Sequence, residues 1–482
     1  MIYRLSLVFT SFFVLSAQAQ NHIDALRYSQ ESLWGSARYV AMAGAFGALG
    51  SDGSTASHNP AGIATFTNSQ FGGGLNLNKL DSDGFKSNSS FNSPNSFAKN
   101  NSVSIPNLNY ISANILSPDM AGDWDRINFG IGYNKLDDYN KSIYLESTNS
   151  YNSLSTVITS NANGNTYENL SSIGQLAYAT YLIDTIGNDI SYISPAGEIT
   201  NRTQSFKNTT SGGKREFYLS FGTAYQKKLF LGATIGFPNI EYRERSVLTE
   251  SNFEEAKDGL TSFNYASDLY VQGSGINLKL GLIYKIDDAI RYGFALHTPT
   301  YYEIQEEYSS EMNTSFGNDS MHSAGTSLGL FDYGLTSPFK MINSLSFVLK
   351  KRAIISIEHE YLDYSSAKLS SEFYRFSNEN ETINTAYTST SNVKIGTEVR
   401  VHPQMSIRGG YAYYGSPFTD SNNDASNEYL TFGLGLQINQ YFFDLALVNS
   451  YNRTTRSLYS GSEEASLSNR NEQILISGGF KF

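Results

Sequence analysis

LWGSARYVAMAGAFGALGSDGSTASHNPAGIATF, residues 33–66, is dense in Ala, Gly and Ser and carries Asn59-Pro60-Ala61-Gly62 near its end. Nothing downstream looks like it. From Asn68 onward the chain is aromatic-rich and alternating, with polar gaps. Small residues let backbones pack closely in a confined space, because no bulky side chain holds them apart. The Asn-Pro pair interrupts any helix, since Pro has no N–H to donate and restricts the residue before it. Alone, the stretch would pass for an Ala/Gly-rich surface helix and its loop. Its place between a secretion signal and a barrel-like sequence makes it a compact plug with a wall closed around it.

The whole chain supports a membrane wall. It has 482 residues, no Cys, 34 Tyr and 30 Phe, a net charge of −11, and only 16% charged residues. A soluble domain usually carries about 25%. Yet mean hydropathy is −0.33, because Ser, Asn and Thr supply the polarity. A membrane β-barrel has this balance, since its strands are apolar on one face only. After residue 20 no apolar run is long enough to span a bilayer as a helix. The acidic balance argues against nucleic acid, which needs a basic surface to displace counterions. Without Cys there is no disulfide, thiolate metal site or lipid-modified cysteine.

Residues 1–19 read as a signal peptide. Arg4 gives the positive start, Leu5 to Leu15 the apolar core, and Ala17-Gln18-Ala19 the cleavage site. The expected organisation is signal peptide 1–19, amino-terminal segment and hatch 20–67, and barrel 68–482.

In the barrel region, alternation is the test, because successive strand side chains point to opposite faces. Ile127, Phe129, Ile131 and Tyr133 alternate with Asn128, Gly130, Gly132 and Asn134. Leu430, Phe432, Leu434, Leu436 and Ile438 oppose Thr431, Gln437 and Asn439. Short interruptions, such as 226–228 and 439–440, alternate with long polar ones: 81–101, 139–213, 247–264, 302–338, 365–391, 416–427 and 451–471. Outer-membrane barrels have tight periplasmic turns and long outer loops. The breaks delimit about fourteen antiparallel strands, with Glu372-Phe373-Tyr374 assigned to a loop to keep the count even. This all-β reading places the chain in the outer membrane of a Gram-negative bacterium. No fixed-period repeat favours a propeller.

Chemistry is hard to find. The six His are scattered and none has helical metal-ligand spacing. Glu358-His359-Glu360 alternates on a strand, so His359 points away from both carboxylates. No nucleophile elbow or phosphate loop is present. No catalytic residue, metal or cofactor is expected. Gly130 and Gly132, on the third strand, mark a bend or, more simply, make room for the plug.

The hatch residues Ala43, Gly44 and Phe46 within Ala41–Phe46, the run Asp52–Ala56, and Asn59, Pro60, Ala61 and Gly62 resemble the FadL/TodX family of outer-membrane transporters of hydrophobic compounds, in a form found in Bacteroidetes-type bacteria. Tyr292–Pro299, Ser337–Lys340 and Glu360–Ser365 add weaker matches. The carboxyl terminus, ending on Phe482, resembles the signature read by barrel-insertion machinery. The resemblance implies a fourteen-strand barrel with an internal hatch. It implies passive uptake of long-chain fatty acids or aromatic hydrocarbons by a monomer amid outer-membrane lipid and lipopolysaccharide. The ligand would rest in a loop groove, for which Leu176, Tyr178, Tyr181, Leu182 and Ile183 are candidates. It would enter a pocket gated by the amino terminus, with Ile23, Leu26, Arg27 and Arg38 as candidates. It would leave sideways at a kink in the third strand, near Gly130 and Gly132. The family's own basic pocket residues have no match here. A surface-binding or structural barrel, and a lipid-acting barrel enzyme, are the rival readings.

Overall fold

Alternation becomes a wall when every strand finds two neighbours. The first wall strands are β1 (Gln70–Asp81), β2 (Asn107–Ile115), β3 (Trp124–Asp138), β4 (Arg202–Tyr225), β5 (Leu229–Ser251), β6 (Leu260–Lys285) and β7 (Ile290–His297). They continue as β8 (Lys340–Leu349), β9 (Ala353–Asp363), β10 (Ser389–His402), β11 (Met405–Tyr414), β12 (Asn427–Ile438), β13 (Tyr441–Ser457) and β14 (Glu464–Lys481). Consecutive strands pair antiparallel. β14 returns to β1, from Gln70↔Lys481 to Asp81↔Arg470, and closes a cylinder of 14 strands. Closure satisfies backbone groups that a bilayer could not hydrate. This computed structural model describes residues 22–81, 97–117, 122–150, 153–196, 201–254, 256–317, 319–350, 352–421, 423–459, 462 and 464–482. The expected signal peptide lies outside them.

The outer face is a continuous apolar belt, with Leu75, Ile131, Phe217, Ile276, Leu430 and Ile476 all exposed. At the closing seam Phe71 packs on Phe480 at 5.9 Å and Tyr110 on Phe482 at 6.3 Å, an aromatic rim at the periplasmic end.

Several segments with the polarity of loops are sheet. β4, β5 and β6 run 24, 23 and 26 residues, whereas about 10 suffice to cross a membrane. The expected loop 247–264 is strand up to Ser251 and again from Leu260, and residues 202–213 belong to β4. Further strands, including Phe97–Ser104, Lys141–Ser150, Tyr301–Phe316 and Gly329–Thr336, knit onto the rim. Above the membrane the outer face of a strand meets water, while inward residues such as Phe206, Leu248 and Phe263 are buried. The apolar outer face that marks a lipid-facing strand therefore disappears while backbone pairing continues. Glu372–Tyr374 is indeed non-strand, lying between a short strand at Lys368–Ser370 and a helix at Ser377–Ala386.

Inside, α1 (His22–Ser29) sits in the upper lumen, and the plug, starting with α2 (Ala37–Ala41), sits below it. Ser36 caps α2, and Asp52 caps a 3-10 turn at Gly53–Ser57. Asn59 caps the next turn, Pro60–Thr65, with Pro60 at its first position. A capping Asn followed by Pro ends one turn and starts another, because Pro lacks an N–H only where none is needed.

Candidate functional site

The plug is fitted to the wall atom by atom. Ala43, Gly44, Phe46, Asn59, Pro60, Ala61 and Gly62 all lie in the lumen. Asn59 is fully buried. Its amide donates to the Gly47 carbonyl at 2.5 Å and to the wall carbonyl of Leu282 at 3.2 Å. Small wall residues receive it. A Cβ on Gly281 would lie 2.0 Å from Asn59 Oδ1, one on Gly232 2.2 Å from the Pro60 carbonyl carbon, and one on Gly293 2.1 Å from the Gly47 oxygen.

Charge fixes the plug on another side. His58 Nε2 is 2.8 Å from Glu358 Oε1, while Glu358 Oε2 accepts from Gly47 N–H and Ser344. Glu360 lies close by, but Lys394 stands between the two carboxylates at 3.1 and 3.2 Å. That ammonium occupies the place where a cation would balance the cluster, so the arrangement is an ion network rather than a metal cradle. Sequence spacing could not pair His58 with residues 300 positions away. His359, as expected from alternation, faces outward and meets Ser391 at 3.0 Å.

Above the plug is an apolar chamber rich in tyrosine. Tyr139, Tyr242, Tyr302, Tyr333, Tyr364 and Tyr387 surround Ala25, Leu26 and Tyr28 of α1. Among the pocket candidates, Leu26 is buried there. Arg27 lies at its margin, with its guanidinium 4.3 Å over the Tyr242 ring and paired with Asp24. Ile23 is different: it is 48% exposed and does not line the chamber. Arg38 also lies elsewhere. It pairs with Glu398 at 3.1 Å and borders a polar recess of about 190 Å³ beside the periplasmic turn at Pro403 and Gln404. Helical phase cannot place two arginines on either side of a plug that the wall positions.

The outer cap also corrects an expectation. α3 (Leu154–Ala162) and α4 (Ser172–Ala179) fold down on the extended wall. Leu176, Leu182 and Ile183 are buried there against Phe206, Leu248, Phe263 and Met312. Tyr178 packs on the margin, and exposed Tyr181 meets the His322 ring at 4.7 Å. These residues form the core of a cap, not the lining of an open groove; an apolar helix in water buries its apolar face. Glu250 anchors the cap, accepting from Leu154 N–H at 2.8 Å and from Ser153 at 2.6 Å. Glu250→Ala should cost about 1–3 kcal/mol of local stability by stranding those donors. Protease cleavage within residues 153–196 should become faster.

Among the described residues, the ladder between β2 and β3 breaks before the end of β3. β2 and β3 pair from Ile115↔Arg126 to Asn107↔Asn134, and Lys135 N–H donates to the Pro106 carbonyl at 2.8 Å. There the ladder stops. The β3–β4 register slips between Lys135 and Asp137, and the Leu136 carbonyl accepts from Ser32 N–H in the lumen at 3.1 Å. Among the described residues, pairing across the break resumes only at Lys99↔Ser142. The chain before the plug covers the opening: Ser32 donates to Asp137 at 2.5 Å, and Lys135 sits 4.3 Å over the Trp34 ring. Gly130 and Gly132 lie below it, in register on both sides. Their missing side chains make room instead. A Cβ on Gly132 would meet the Tyr218 hydroxyl, which donates to the Gly53 carbonyl of the plug, and one on Gly130 would crowd Ile111.

A family model described as outer membrane protein transport protein (OMPP1/FadL/TodX) matches residues 14–440. Among solved structures, the toluene transporter TodX of Pseudomonas putida is 15% identical with a TM-score of 0.55, covering 94% of this chain and 99% of that one. A FadL homologue of Pseudomonas aeruginosa is 12% identical with a TM-score of 0.54, with the same coverage of 94% and 99%. The toluene transporter TbuX of Ralstonia pickettii is 15% identical at a TM-score of 0.51, again covering 94% and 99%. At these identities the likeness is one of fold. No curated protein matches the sequence.

Proposed function

This chain belongs to the OMPP1/FadL/TodX family of outer membrane transport proteins, and on that premise we propose that it takes up hydrophobic small molecules passively, as long-chain fatty acids or aromatic hydrocarbons. The observation that carries the reading is the tyrosine-rich chamber, closed below by the plug and filled by α1. Such a chamber gives an apolar solute about 25 cal/mol per Å² of buried area, where a water-filled pore would give none. α1 and the ligand are alternative occupants, so the amino terminus is the gate. The break beside Leu136, rather than the glycines below it, is the sideways exit. Lys207, Arg243 and Arg245 share a strand face with the lipid belt and stand just above it, where lipopolysaccharide phosphates lie. The last strand serves barrel insertion, and the protein works as a monomer without catalysis.

Deleting residues 20–25 tests the gate. Without them α1 loses its first turn and Ala25, so the internal competitor, Leu26 and Tyr28, is held less firmly and returns less readily to expel the ligand. Ligand should bind at least as tightly, while uptake into cells slows severalfold. Unchanged uptake of every hydrophobic substrate tried would remove the gated chamber.

A further inference from the structure

The outer face of β4 to β6 changes character above the lipid belt. Phe217, Phe237 and Ile276 are the last exposed apolar residues on these three strands. Higher on the same face lies a groove of about 660 Å³, bordered by Lys207, Arg243, Arg245 and Tyr270, with Val247 and Leu328 as its apolar members. Strand register assembles it: Lys207 lies opposite Val247, Arg243 opposite Tyr270, and Arg245 opposite Asp268. The Arg243 guanidinium sits 4.5 Å over the Tyr270 ring and 3.4 Å from Glu241, with 61% of its side chain open. Arg245 is bonded to Asp268. Lys207 is exposed and makes no ion pair among the described residues. Glu244 turns to the lumen, where Asn208 and Tyr242 bond it and Arg27 lies 4.0 Å away. Three cations therefore face two outward acids, Asp268 and Glu307, across the groove.

Height selects the occupant. Arg243 is six positions past Phe237. At about 3.3 Å per residue and a tilt of about 40°, that raises it roughly 15 Å above the apolar edge. A headgroup layer is only about 5–8 Å deep on each side of a bilayer, so phospholipid phosphates end below the groove. A lipid whose phosphates sit on sugars stands taller. Its chemistry also fits. Guanidinium forks take phosphate oxygens in pairs, and Tyr270 holds the Arg243 fork by cation–π attraction. Thr209, Ser211 and Ser309 supply hydroxyls for the sugar. We propose that this groove binds the phosphorylated saccharide of one lipopolysaccharide molecule, with Lys207 and Arg243 on its phosphates. Arg215 marks the lower level. It shares the strand face, two positions from Phe217, and lies 3.8 Å from Glu241 at phospholipid height. The inference rests on the outer-membrane setting of the reading above and adds a partner outside the chamber.

The test measures binding of three lipids to the purified full chain: lipopolysaccharide with a phosphorylated core, the same glycolipid stripped of phosphate, and phosphatidylglycerol. Lipopolysaccharide should bind roughly tenfold more tightly than either of the others. Lys207→Gln and Arg243→Gln should each weaken it about fivefold and leave the other two unchanged. Both side chains are exposed, so the barrel folds without them. Arg215→Gln removes the same charge at the lower level and should leave lipopolysaccharide binding unaltered. Equal binding of the phosphorylated and stripped glycolipids, equally tight phosphatidylglycerol, or a loss with Arg215→Gln as large as with Arg243→Gln, overturns the site. None of these variants touches the chamber, so that result leaves uptake of hydrophobic molecules standing, and failed uptake would leave the site standing.

Discussion

Joining Ser102→Cys to Asp138→Cys with a short, reducible thiol linker should cut uptake of hydrophobic ligand at least about tenfold and leave ligand binding intact. Ser102 Oγ and Asp138 Oδ2 lie 3.3 Å apart across the break between the Phe97–Ser104 extension and the end of β3. The chain has no Cys, so only the introduced pair can react. A covalent strap there spans the opening without entering the chamber, so capture and release separate. Reducing the linker should restore uptake. If the strapped protein transports at the normal rate, the ligand leaves by another route, such as past the plug.

Gly232→Leu should unseat the plug, and Gly281→Leu should do the same. Overpacking a core by a methylene or two typically costs about 1–3 kcal/mol, because neighbours shift. Here the neighbours of Gly232 are plug backbone atoms at 2.2–2.4 Å, held by Asn59 and by the turn that Pro60 begins. Backbone fixed on both sides has little freedom to yield, so the plug must move as a unit. Planar-bilayer recordings should show steady ion conductance through the vacated lumen, with β-sheet content unchanged by circular dichroism. Gly409→Leu is the control, since its Cβ would meet nothing closer than 3.7 Å. Silent Gly232→Leu channels would mean that the plug tolerates a looser seat than its contacts imply.

How much of this was legible beforehand depended on how local each signal was. Lipid-facing strands announce themselves, because a period of two on one apolar face survives in any sequence window; Ile127–Asn134 and Leu430–Asn439 are examples. The plug was legible for a similar reason: small residues and Asn59-Pro60 are a local composition. The inward faces carried half a signal. Alternation puts Glu358 and Glu360 on the face opposite His359, yet the Lys394 they meet depends on closure of the cylinder. Glu31 lies 309 positions from Lys340, and no local pattern links them. Leu176, Leu182 and Ile183 failed as a groove because apolar content says that a surface will be covered, not by what. Gly130 and Gly132 drew attention as glycines, whereas the break is made by Pro106, which has no N–H, and by the slip at Leu136.

The length of β4 to β6 bears on where capture begins. At about 3.3 Å per residue, a strand of β6's 26 residues has a contour near 86 Å. Tilted by about 40°, it rises roughly 65 Å, some 40 Å more than the hydrocarbon slab it crosses. On that side the sheet thus stands above the hydrocarbon slab as a tall wall, whereas β7, β8 and β11 run only 8, 10 and 10 residues. On the uptake reading proposed above, cargo captured against that wall is screened on one side from the carbohydrate thicket that would otherwise slow anything oily.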